Sequence, residues 1–126
     1  MLERSIALAL RELASQTSPD EMTRDLVAYV ALSLQAIAES IDESVLAWEK
    51  RGYWVKADRF RMEWSWAGRL GDAMRQSLLA DDWNKVALSA AQIAEYMRKI
   101  KVPKSYKIGT PWSGSWQVLK SPKQGH

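Results

Sequence analysis

The chain has 126 residues, 47% of them hydrophobic and 26% charged, with no cysteine and 18 Lys and Arg against 15 Asp and Glu. That length supports one core burying roughly two-thirds of the unfolded chain's surface, and the absence of cysteine excludes disulfides, thiolate nucleophiles, iron–sulfur clusters and cysteine-held zinc. The formal charge of +3 hides a split, because residues 96–126 hold seven Lys and Arg and no acid, which predicts a basic tail that folds back on an acidic body or seeks an external anion.

The N-terminus carries Glu3 where a secretory signal would hold only positive charge, and Arg11 and Glu12 interrupt the apolar residues that follow. The most apolar stretch, Leu26 to Ala38, falls well short of the roughly 20 residues a membrane span needs. A cytoplasmic protein is expected, with no membrane partner.

In chain order, the first helix is expected from about Leu2 to Gln16, with Leu2, Ile6, Ala9 and Leu13 on one face. Thr17-Ser18-Pro19-Asp20-Glu21 reads as a start signal in which Ser18 is the N-cap, Pro19 occupies the first helical position and Glu21 closes a capping box. A second helix then carries a seam of Val27, Val30, Leu34, Ile37, Ile41, Ser44 and Trp48 in steps of three and four, to a left-handed stop at Gly52. The third repeats the rhythm through Ala57, Phe60, Trp64, Ala67, Gly71, Met74 and Leu78, with Ala67, Gly68 and Gly71 small enough for a neighbouring helix to come close. Asp81 or Asp82 caps a fourth helix with seam Trp83, Val86, Ala90, Ile93, Met97 and Ile100, ended by Pro103.

Short connections make these helices antiparallel neighbours. The predicted fold is all-α: an up-down four-helix bundle over residues 1–101, with a long hairpin of helices 2 and 3, followed by an irregular basic segment over 102–126 that docks to about residue 119 and frays beyond. The helices are unequal. The second would span about 48 Å and the fourth and first only about 28 and 21 Å, so the Gly52 end of the hairpin, with Trp48, Tyr53, Trp54 and Phe60, outruns its companions and requires a cover. Either the tail, through Tyr106, Ile108, Trp112 and Trp116, or a second copy of the chain could supply it. A second apolar stripe of Tyr29, Leu32 and Ala36 on helix 2 and Met62 and Trp66 on helix 3 adds weight to a homodimer, with Tyr29, Leu32, Trp54, Met62 and Trp66 as the expected interface.

Three constellations bear on chemistry. The stretch from Trp48 to Arg61 mixes aromatic and basic residues as single-stranded nucleic-acid sites do; Lys50, Arg51, Tyr53, Lys56, Arg59 and Arg61, with Lys104 and Lys107 of the tail, are the candidate contacts. Glu49, Asp58 and Glu63 dilute that field, with Arg59 spaced to pair with Glu63, so hairpin-end packing is the stronger reading. Glu39, Asp42 and Glu43 lie off the seam and lack the matching acidic motif on the next helix that a magnesium-dependent pyrophosphohydrolase would need; they read as a solvated face. Ser113 lies in a glycine-containing turn without a histidine base or a nucleophile elbow, and the single histidine, His126, ends the chain. No catalytic, cofactor-binding or metal-ligating residue is therefore assigned, and no cofactor is expected. The chain reads as a non-enzymatic helical interaction or assembly protein, homo-oligomeric or bound to another protein subunit, with a nucleic-acid accessory protein as the alternative.

Overall fold

A computed structural model describes residues 2–98 and 111–120 of the chain. Among them the fold is all-α: α1 (Leu2–Ala14), α2 (Glu21–Lys50), α3 (Trp54–Leu79), α4 (Trp83–Tyr96) and a short α5 (Ser115–Lys120). The helix 2–helix 3 pairing is the principal contact. α1 and α5 also pack on α2, α4 packs on α3, and α1 and α4 touch only lightly.

The α2–α3 contact depends on small residues. A Cβ added at Gly71 would sit 2.9 Å from the Leu34 Cβ and 3.3 Å from the Ala31 carbonyl oxygen, and one at Gly68 would sit 3.3 Å from the Ala38 Cβ. Around this approach the expected seam closes. Val27, Val30, Leu34, Ala67, Met74, Leu78, Val86, Ile93 and Met97 are buried, while Trp48, Phe60 and Trp64, lower on the hairpin, are half-buried. Of the seam residues, Ile100 and the side chain of Leu2 lie outside the described set.

The helix ends show which local signals win. Asp20, not Ser18, is the N-cap of α2: its carboxylate accepts from the Thr23 N–H at 2.9 Å, and Pro19 stays outside the helix. An ionised acceptor at the positive end of a helix outcompetes a hydroxyl for that amide, and the Thr23 hydroxyl turns to donate to the Ser18 carbonyl at 2.7 Å. At the far end Gly52, at φ 81°, lets the Tyr53 N–H reach the Trp48 carbonyl at 2.9 Å and its own N–H reach Glu49 at 3.0 Å, the paired closure of a Schellman motif. α3 therefore starts at Trp54, a turn earlier than its seam suggests. It closes the same way, but with Asp81 in the left-handed position at φ 57° and the Asp82 N–H on the Ser77 carbonyl. Asp82, rather than Asp81, then caps α4 through the Lys85 N–H.

The C-terminal segment is not wholly irregular, since Ser115–Lys120 is helical. A six-residue helix has no independent stability in water, so its stability comes from the bundle. The buried carboxylate of Asp25 on α2 accepts from the Gly114 N–H at 3.1 Å and the Trp116 N–H at 2.9 Å, supplying acceptors that the helix start lacks in its own sequence. Arg75 on α3 donates to the Leu119 carbonyl at 3.3 Å and to Gln35 at 3.4 Å. Trp112 and Leu119 are buried, and the guanidinium of Arg24 lies between Trp83 and Trp116, 5.3 and 5.6 Å from the two ring centroids, while also pairing with Asp81 at 3.3 Å.

Asp25→Ala should remove the acceptor of two part-buried amides and lower stability in urea unfolding by about 1–2 kcal/mol, with proteolytic cleavage appearing first within 111–120. Asp72→Ala, an exposed carboxylate whose side chain meets Gln76, should change stability by no more than about 0.5 kcal/mol. Acid unfolding gives a second check. Asp20 is held below the ordinary 3.8, first by the Thr23 N–H and then by the Thr23 hydroxyl. A depressed carboxyl contributes stability above its unfolded value and loses it as pH falls through its folded value. The stability gap between the wild type and Asp20→Ala should therefore be full at neutral pH and close below about pH 3.8, read by thermal melts across the acid limb.

Candidate docking surface

At 1.5 Å per residue, α2 is about 45 Å long and α3 about 39 Å, against about 20 Å for α1 and 21 Å for α4. α1 and α4 start or finish near the end of the hairpin formed by Asp20 and Asp81, so they leave its Gly52 end without helical companions among the described residues. The docked C-terminal helix does not cover it. Its contacts with Asp25 and Arg75 fix it to the opposite half of the hairpin, because the residues that bind it lie there.

The inner side of this end is packed. Trp48 and Phe60 meet edge to face at 4.9 Å between ring centroids, Val45 and Ala57 are buried, and the Lys56 ammonium lies 4.5 Å over the Trp48 ring. Arg61 ties α3 to α2 through Glu49 at 2.7 Å and also holds Asp58 at 2.8 Å. Those two carboxylates, Glu49 most, raise the Arg61 guanidinium above its ordinary value. Arg59 and Glu63, spaced to pair, are not joined; Arg61 takes the ionic role at this end.

Among the described residues nothing covers the outer side. Tyr53 and Trp54 are more than half exposed, Val55 is 72% exposed and Met62 78% exposed, and a hollow of about 530 Å³ is lined by Gly52, Tyr53, Trp54, Val55 and Lys56. Val55 and Met62 lie seven residues apart, hence on one face of α3. Lys50, Arg51, Lys56 and Arg59 are exposed around them, without a carboxylate within ion-pairing distance among the described residues.

The structure divides the expected interface residues. Trp54 and Met62 are open. Trp66 is only 6% exposed, stacked on Tyr96 of α4 at 4.7 Å and on Trp64 at 5.8 Å, because α4 reaches just far enough along α3 to close over it. Tyr29 is half-buried and its hydroxyl is 2.8 Å from that of Ser5 on α1; Leu32 packs on the edge of the core. The chain itself covers Trp66, while Tyr29 and Leu32 are half-buried. Of the nucleic-acid candidates, Lys50, Arg51, Tyr53, Lys56, Arg59 and Arg61 do share the hairpin end, while Lys104 and Lys107 lie outside the described residues, as do Tyr106, Ile108 and His126.

Two other places in the fold have the shape or the composition of a site. A groove of about 560 Å³ lies between α1 and α4, walled by Leu10, Leu13, Trp83, Val86, Ala90 and Ala94, with Thr17 and Ser18 at one end. It is lined by no charged residue or histidine, so it offers no acid–base pair. Glu39, Asp42 and Glu43 are all exposed, and no group of three or more His, Asp or Glu side chains converges on a metal position among the described residues. Comparison with family models, with curated proteins and with solved structures finds no match to this chain.

Sequence periodicity missed Asp25, the residue that decides where the C-terminal helix docks. Its signal was a carboxylate at the head of the apolar run from Leu26, an unfavourable place for a charge unless something donates to it.

The division between covered and open rings has a direct consequence. Trp66→Ala should cost about 3–5 kcal/mol, whereas Trp54→Ala and Met62→Ala should each stay within about 0.5 kcal/mol of wild type, in one series of urea titrations.

Proposed function

We propose that this chain is a non-enzymatic interaction module whose bare hairpin end and the adjoining flank of α3 form its docking surface, and that a second copy of the chain is one partner of that flank. The observation that carries the reading is the pairing of Val55 and Met62, exposed large apolar side chains on one helix face, at the point where α4 has stopped covering α3. Soluble chains seldom leave such residues clustered without a use. The flank also holds charges of both signs, Asp58, Arg59 and Glu63, so a two-fold contact can pair them across copies.

The nucleic-acid reading draws on Lys50, Arg51 and Arg59 beside Tyr53 and Trp54. It is the weaker of the two because these groups surround the end of a hairpin and line no channel, and because Lys56 and Arg61 are already engaged with Trp48, Glu49 and Asp58. Among the described residues no acid, base and nucleophile converge to support an enzymatic role.

Light scattering at micromolar concentration should give about twice the 14.3 kDa chain mass, and Met62→Lys should return it to the monomer value without changing the thermal midpoint. A wild type that stays monomeric across the concentration series would contradict self-association.

A further inference from the structure

The extreme end of the hairpin differs from its flank in charge. Between Trp48 and Arg61 stand Lys50, Arg51, Lys56, Arg59 and Arg61, against only Glu49 and Asp58, and both acids are held by Arg61. Five cations against two acids leave this stretch a net charge of +3, with Lys50, Arg51 and Arg59 exposed and outside any ion pair among the described residues and Lys56 over the Trp48 ring, around an apolar cap of Tyr53, Trp54 and Val55. End-to-end contact with a second copy would set these cations against the same cations, which is repulsive. The charge of this end favours an anionic occupant.

We infer that the hairpin end docks peripherally on an anionic lipid surface, a contact distinct from self-association through the α3 flank. The chemistry of the cap matches the headgroup layer: tryptophan and tyrosine favour that boundary because each joins an apolar body to a polar tip. Val55 offers the aliphatic contact that enters the acyl edge, and lysine and arginine reach outward to phosphates along their apolar stems. No helix among the described residues is long and apolar enough to cross a membrane, so the contact is one of surface docking, a possibility that the lack of a spanning segment does not address. Arg61 braces the arrangement by joining α2 to α3 just behind the cap, and the Trp48–Phe60 contact closes the hairpin's interior, so the cap is presented on a packed base. A nucleic acid would share the cations but gain nothing from Val55, and it would find no channel along which to run.

The test is co-sedimentation with phosphatidylcholine vesicles and with vesicles containing phosphatidylglycerol, at low and at physiological salt. Binding is expected to the anionic vesicles, weakening as salt rises, with little to phosphatidylcholine alone. Each cation near such a surface contributes about fivefold, so Lys50→Glu with Arg51→Glu should lower partitioning at least tenfold. Trp54→Ser should also lower it, and the thermal midpoints should be unchanged because all three side chains are exposed. Lys85→Glu, a single charge reversal at the opposite end of the molecule, should leave vesicle binding intact, as should the monomer-restoring Met62→Lys. The inference is overturned by absence of binding to anionic vesicles at low salt, by equal loss in Lys85→Glu, or by single-stranded oligonucleotides binding more tightly than the vesicles with the same dependence on Lys50 and Arg51.

Discussion

The close approach of α2 and α3 is the constraint on which the other contacts depend. Gly71 lets Leu34 and Ala31 come within a distance that no side chain at that position would permit, and the Gly68–Ala38 contact continues the same approach one turn away. Two helices held that near present a continuous apolar seam over much of their length, and the shorter α1 and α4 cover the half of the hairpin away from Gly52. The long hairpin is thus the scaffold, and the other three helices attach to it.

The positions of those attachments decide which surface is left free. Asp25 accepts two amides from the segment preceding and opening α5, Arg75 donates to the Leu119 carbonyl in its last turn, and the Arg24 guanidinium lies against rings from α4 and α5. All of these lie on the half of the hairpin away from Gly52. Residues 111–120 are held by individually placed hydrogen bonds and two buried apolar anchors, Trp112 and Leu119. Because α5 is committed there, it does not reach Tyr53, Trp54 and Val55.

Much of the architecture was legible in the sequence because seam residues obey a period that burial enforces: Val30, Leu34, Ala67, Met74 and Ile93 fall where steps of three and four place them. The unequal helix lengths followed from the same count. Less was legible at the ends and in the second shell of contacts. Ser18 and Asp20 are both good caps, and only the geometry after Pro19 selects between them. Trp66 looked unpartnered because its partner, Tyr96, sits at the last turn of another helix, where periodicity carries no information on reach. Asp25 escaped notice because its two partners are 89 and 91 residues away, a separation at which no local pattern operates. The candidate surface was legible in outline: its residues were named from sequence, but which of them remain exposed depends on how far α4 and α5 extend.

The functional reading therefore rests on a surface left open by packing and not on a reactive group. Its most direct test is hydroxyl-radical footprinting with mass spectrometry across a protein concentration series. Trp54, Val55 and Met62 should oxidise rapidly in dilute solution while Trp66 and Trp112 stay protected, and Met62 should become protected as concentration rises. Equal protection of Met62 and Trp66 in dilute solution, or reactivity at Met62 that never falls, would contradict the assignment of this end of the hairpin as the docking surface.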